Sequence, residues 1–222
     1  MPHGARVFVL DAESADETAA VARAHGALVE TRPWTGFVNA RRYALGRVST
    51  VWALMLDADE LLDPVLRDAI LAARGDVAGY TLRRVTMLCG RPVHAAGWSN
   101  ERLLRLIRTD RARVVANEVG ADLHERWMVD GATADLPGAI LHDSYPTLAS
   151  YRVKFDRYTS VEAAALRPSQ RAYVRALATM PLRFLWSIVR YGGWRDGWRG
   201  LFVAWESARY RVVVRAKALR RA

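Results

Sequence analysis

Short apolar runs alternate with amphipathic stretches through the first 75 residues. "RVFVL" (6–10), "ALVETRPW" (27–34) and "TVWALML" (50–56) read as strands, and a segment of helical period follows each. The first such segment, "DAESADETAAVARAHG", carries Ser14 and Glu17 at capping-box spacing and stops at Gly26. In the second, "TGFVNARRYALGRV", Phe37, Ala40, Ala44 and Val48 fall near one face. The third, "DPVLRDAILAARG", has Pro64 in its first turn and Gly75 at its end. This alternation predicts an α/β fold, a mostly parallel sheet with helices on both faces.

The period then changes. "AGYTLRRVTMLCG", "RLLRLIR", "ARVVA" and "GAILH" are strand-like and joined by turns, which predicts hairpins appended to the parallel sheet. From Pro146 the chain reads helical in three pieces, separated by Pro168 and by the turn "GGWRDG" (192–197). Two parts are expected: residues 1–145 as an α/β domain and residues 146–222 as a helical, basic, aromatic-rich C-terminal extension.

Charge sharpens that division. The chain of 222 residues has a formal charge of +10, and residues 171–222 hold 12 of the 33 Lys and Arg but only Asp196 and Glu206 as acids. The whole excess lies there, with Trp186, Trp194, Trp198 and Trp205. A neutral front and a basic, aromatic tail suggest a body docked onto something anionic, or else a basic extension packed on its own domain. The single cysteine, Cys89, allows no intramolecular disulfide and fits a reducing compartment. No signal peptide is read at the N-terminus, and no apolar run reaches the ~20 residues that span a bilayer.

The candidate chemistry sits in "VWALMLDADELLDP". Asp57 follows a buried-strand pattern, and ligands of open parallel sheets bind at the carboxyl ends of strands. On an extended chain Asp57 and Asp59 point the same way, so both carboxylates could meet one ligand. Hard oxygen donors suit Mg2+ or Mn2+ bridging to phosphates. The plainer alternative is that Asp59, Glu60 and Asp63 favour the positive end of the helix at Pro64. Asp11 also terminates an apolar strand, and two neighbouring strand ends with carboxylates favour a nucleotide site.

At these residues the chain resembles a family. "VFVLDAESADET", "WTGFVNARRYAL", "WALMLDADELL", "GWSNERLLRLIR", "LHERW" and "ILHDSYPTLASYRVKFDRYT" look like successive motifs of family 2 glycosyltransferases of GT-A fold. With "MPLRFLWSIVRYGGWRDGWRGLFVAWESARYR", the order is similar to the bacterial subgroup that builds the lipopolysaccharide core. The resemblance implies inverting transfer of a sugar from a nucleotide-diphosphate donor, a UDP-hexose by preference, to a lipid-linked or lipopolysaccharide-core glycan. Asp11 matches the acid that holds the base or ribose. Asp57 and Asp59 match the Asp-x-Asp that contacts ribose and the diphosphate-bound Mg2+ or Mn2+. Glu125 is the first candidate for the general base and Glu101 the second. Arg41, Arg105 and Arg108 are candidates for the donor region and diphosphate, and His142 for a third metal ligand. Trp34 and Trp98 are candidates for stacking on sugar or base.

The chain also departs from the family. Members begin with a further strand that lines the nucleotide pocket, and this chain starts at what looks like the second. Glu13 stands where the family favours glycine, and Arg42 where it favours asparagine. The basic tail fits peripheral attachment to an anionic membrane at the cytoplasmic face, through residues 171–222. The rival readings are an inactive or truncated glycosyltransferase-fold protein, an Asp-x-Asp phosphatase, and a basic nucleic-acid-binding module; no nucleic acid is expected as a partner.

Overall fold

A computed structural model of the chain describes residues 5–94, 98, 101–116 and 125–221, with the side chains of residues 116 and 125 outside that description. The strands are β1 (Phe8–Asp11), β2 (Leu28–Thr31), β3 (Trp52–Leu54), β4 (Glu60–Leu62), β5 (Gly79–Leu88), β6 (Arg91–Pro92), β7 (Glu101–Arg108), β8 (Ala112–Ala116), β9 (Glu125–Val129), β10 (Thr133–Asp135) and β11 (Ile140–Tyr145). The helices are α1 (Thr18–Ala24), α2 (Phe37–Gly46), α3 (Pro64–Ala72), α4 (Leu148–Ala165), α5 (Gln170–Tyr191) and α6 (Trp198–Leu219), with a 3-10 turn at Gly193–Asp196. The expected α/β fold with C-terminal helices is present. Its pairings are mixed: β1–β2, β10–β5 and β11–β5 run parallel, whereas β3–β7, β4–β11, β5–β6 and β8–β9 run antiparallel.

The chain forms two compact units. The first holds residues 1–56, 64–82 and 103–138; the second holds 57–63, 83–102 and 139–222. In the first, β1 pairs with β2 from Phe8↔Leu28 to Asp11↔Thr31, and β3 with β7 from Trp52↔Arg108 to Leu54↔Leu106. Ala53, Ile107, Val114 and Trp127 are buried together, and Val38, Leu45 and Val48 close over them. The core-facing seam at α2 is therefore Val38, Leu45 and Val48. Phe37, expected on that seam, is 40% exposed and sets its ring edge-on to Trp34.

The helix after β1 also starts differently. Its cap is Glu17 with no side-chain bond, and Asp16 Oδ1 instead accepts from Thr18 N–H at 3.0 Å. The predicted capping box does not form, because the Ser14 N–H is turned to the Asp11 carboxylate. Glu13 has φ 59°, a left-handed conformation that glycine adopts at least cost. That is a physical reason for glycine at the matching position.

In the second unit, β11 lies between β4, antiparallel, and the later half of β5, parallel. The helices behind it carry strong local signals. Thr147 and Ser150 form a reciprocal capping box at α4, Ser169 caps α5, and Gly192 ends α5 in the left-handed region. Leu88, Val93, Val203 and Ala204 are buried together, with Phe184 and Ile188 of α5 against them. A Cβ on Gly200 would lie 1.8 Å from the Gly193 carbonyl oxygen, so the two backbones meet where only glycine fits. Arg199 donates from Nε to Leu88 O (2.9 Å) and from Nη2 to Cys89 O (3.1 Å), tying α6 to the end of β5.

Candidate functional site

The Asp57–Asp59 stretch is a turn, not an extended strand. β3 stops at Leu54, and the Glu60 N–H donates to Asp57 O at 3.0 Å, closing an i to i+3 turn. The strand alternation expected to aim both carboxylates one way therefore does not apply. Glu60 is not a helix cap either. It opens β4, is buried with its side chain fully enclosed, and accepts the Asp57 N–H through Oε2 at 3.0 Å. Its pairing with β11 in the register Glu60↔His142 carries the carboxylate inward.

That register also brings Asp59 to His142. The Asp143 N–H donates to Asp59 O at 2.8 Å, and Asp59 Oδ2 lies 3.2 Å from His142 Nε2. Ser144 Oγ is within hydrogen-bond reach of both ring nitrogens, at 2.9 and 2.8 Å. Among the described residues no group of three or more His, Cys, Asp and Glu is gathered for a metal. The donor pair still fits one chemically: neighbouring ligand atoms about 2.1 Å from one octahedral ion stand about 3 Å apart. Mg2+ typically retains several waters and takes phosphate oxygens, so two protein donors are enough.

A second chain of charges leads away from the turn. Arg84 Nη1 lies 3.5 Å from Glu60 Oε1, and its Nε and Nη2 reach Glu101 Oε2 at 3.0 and 2.5 Å. Glu101 is thus held by Arg84, in the same unit as Asp57, Asp59 and His142. Sequence reasoning singled out neither Arg84 nor Ser144. A charge inside the apolar pattern "YTLRRVTML" was the available signal for Arg84.

The other candidates belong to the first unit. Asp11 is 5% exposed, and its two carboxylate oxygens accept from Ser14 N–H at 3.4 and 3.3 Å. β1 pairs with β2 and, among the described pairings, not with β3, so Asp11 and Asp57 do not end neighbouring strands. Arg41 is half-buried on α2, and Arg105 is buried in β7. Arg108 forks onto Asp110 with two bonds of 3.1 Å, which raises its pKa and lowers that of Asp110. Glu125 opens β9, and its side chain lies outside the described part of the structure.

On α5 an unbroken face is exposed: Val174, Leu177, Leu182, Leu185, Trp186 and Val189 are each between 49% and 79% accessible. Their spacing follows the helical period, and Arg171, Arg175 and Arg190 flank them with no acid anywhere in the helix. Among the described residues no helix is long and apolar enough to cross a membrane.

A family model described as glycosyl transferase family 2 matches residues 4–123. The chain is 28% identical over 228 residues to LpsC of Rhizobium meliloti (strain 1021), a lipopolysaccharide core biosynthesis glycosyltransferase, covering 98% of this chain and 83% of that protein. An uncharacterized glycosyltransferase of Rickettsia conorii is 42% identical over 64 residues, 29% of this chain and 23% of that protein. One from Rickettsia prowazekii is 41% identical over a stretch of the same length, 22% of that protein.

Proposed function

The chain belongs to glycosyl transferase family 2, and from that premise we propose that it moves a hexose from a UDP-sugar to a lipopolysaccharide-core glycan, inverting the anomeric carbon. The observation that carries this reading is the Asp57–Glu60 turn with Asp59 set against His142. Asp57 meets the ribose, and Asp59 with His142 would hold Mg2+ or Mn2+. When bound, that ion offsets the charge on the departing diphosphate. Asp11 holds the base or ribose, and Arg41, Arg105 and Arg108 serve the donor region.

In the transfer, an acceptor hydroxyl oxygen forms the new bond to the anomeric carbon as the bond to the diphosphate breaks. The nucleoside diphosphate leaves with the electron pair, and the hydroxyl proton passes to a carboxylate. Glu125 is the proposed base, from its place in the motif "LHERW". A second reading assigns Glu101, favoured by its link through Arg84 to Glu60 and hence to the Asp57 turn. Glu125→Gln should abolish transfer while donor binding persists; near-normal turnover moves the role to Glu101.

The name of the Rhizobium relative supports the acceptor class. The exposed apolar face of α5 and its arginines support peripheral binding to the inner face of an anionic cytoplasmic membrane, where a lipid-linked acceptor would lie. Thermal-shift measurements with UDP-, GDP- and ADP-sugars, with and without Mn2+, test the donor site. Metal-dependent stabilisation by a UDP-sugar, lost in Asp59→Ala, is the expected result. Equal stabilisation of Asp59→Ala, or none by any donor, refutes it.

A further inference from the structure

A cleft of about 330 Å3 opens in the second unit, within the size range of small-molecule sites. We propose that this cleft, walled by Trp98, Tyr145, Tyr151, Tyr158, Tyr210 and Glu206, binds one sugar ring of the acceptor glycan. The inference rests on the glycosyltransferase reading above.

The lining decides the ligand class. A pyranose presents flat faces of C–H bonds and an equator of hydroxyls. It needs aromatic rings for the first and hydrogen-bonding groups for the second. The aromatic wall is preassembled: the Tyr145 and Tyr151 ring centres are 5.1 Å apart, and Trp98 lies 5.2 and 6.1 Å from them. Glu206 is 6% exposed, and both hydrogen bonds described for it, from Arg209 Nη2 (2.7 Å) and Nε (3.3 Å), land on Oε2. Its Oε1 is the acceptor offered to a sugar hydroxyl, with Ser207 and Arg211 also at the lining. The polar lining disfavours an acyl chain.

Position supports the same occupant. β11 carries His142 and Tyr145 with a register shift between them, so that Tyr145 pairs with Leu88, only two positions on from Thr86 and about 7 Å along the sheet. Thr86, the β5 partner of His142, donates from Oγ1 to Trp98 O at 3.5 Å. Lys154 Nζ stands over the Tyr145 ring at 5.4 Å and donates to Ser144 O at 2.9 Å, beside the Ser144 hydroxyl that reaches His142. A ring seated on the tyrosines would extend its neighbour toward Asp59 and His142.

Isothermal titration of the full chain with a panel of deacylated, stepwise-truncated core oligosaccharides tests the assignment. Tyr158→Ala and Ser207→Trp change exposed residues, so the fold should hold, as an unchanged Tm and unchanged affinity for UDP with Mn2+ would show. At least threefold weaker oligosaccharide binding is expected for the first, and at least twentyfold for the second, whose indole fills the cleft. Unaltered oligosaccharide binding in both variants, or no binding of any panel member to the wild type, overturns the proposal. If the variants lose oligosaccharide binding but the wild type transfers no sugar from any donor, the cleft stands and the donor reading fails. Transfer with the same acceptor KM in wild type and both variants has the opposite meaning.

Discussion

Glu60→Gln removes one charge from the middle of the candidate site and almost no volume. The carboxylate is enclosed, accepts the Asp57 N–H at 3.0 Å and lies 3.5 Å from Arg84. A hydrogen bond to a charged group contributes about 1.5–3 kcal/mol and a neutral one about 1, so the amide loses about 1 kcal/mol at Asp57. Arg84, about a fifth exposed, keeps Glu101 but loses its second carboxylate. At 3.5 Å that costs about 1 kcal/mol more. The sum of about 2 kcal/mol corresponds to a fall in Tm of about 4–8 °C for a protein of this size. The Asp57 turn should loosen as well, with about tenfold weaker binding of UDP with Mn2+, equivalent to about 1.4 kcal/mol. Differential scanning fluorimetry and titration calorimetry measure both, and Arg84→Met combined with Glu60→Gln closes a double-mutant cycle. A Tm change under about 1 °C with unchanged UDP affinity refutes the idea that Glu60 holds the turn, and strict additivity in the cycle refutes its coupling to Arg84.

Glu13→Gly should stabilise the protein by about 0.5–1 kcal/mol in urea denaturation, since an L side chain at φ 59° costs about 1–2 kcal/mol and glycine gives part of that back in chain entropy. A loss of stability contradicts it. Gly200→Ala should cost more than about 3 kcal/mol because its Cβ would meet the Gly193 oxygen at 1.8 Å, whereas Gly46→Ala, with open space around it, should gain up to about 1 kcal/mol. Comparable midpoints for the two would break the close-approach argument. Trp186→Ser with Val189→Ser should weaken co-sedimentation with phosphatidylglycerol vesicles at least tenfold, and unaltered binding would remove α5 from the membrane reading. Burial first, then the bond to Glu162, pushes the Tyr210 hydroxyl from its ordinary 10 up to about 12. Below pH 10 both states keep this proton. Between 10 and 12 only the unfolded chain releases it, so stability should fall with rising pH in that window, read by urea midpoints. A flat profile there contradicts it.

Local signals carried much of the fold. The helices α4, α5 and α6 were legible because Pro146, Pro168 and the 192–197 turn break the chain at their ends; the caps that the structure adds there, Thr147 and Ser169, act on backbone groups a few residues away. The apolar runs of β3, β5, β7 and β11 announced themselves by composition alone. The order of motifs pointed to family 2, and the family match bears that out. β4 was hidden, since three residues are too few for any period, and "DADELL" reads as readily as the acidic start of a helix.

The site shows the same boundary. Asp57, Asp59 and His142 could be named from the chain because carboxylates and imidazoles after apolar strands carry recognisable chemistry. Their relationships could not. Asp59 meets His142 across 83 positions and Arg84 reaches Glu60 across 24, and both contacts exist because β11 pairs with β4 and with β5. Glu60 became a buried anchor only when that pairing turned it inward. The sequence by itself determined which residues could bear charge, cap a helix or fill a strand, because those properties belong to single residues and near neighbours. Tertiary structure alone decided which carboxylate faces a histidine, which is locked to an arginine and which is enclosed. Those depend on strand register, and a shift of one residue would turn every side chain of the strand to the opposite face.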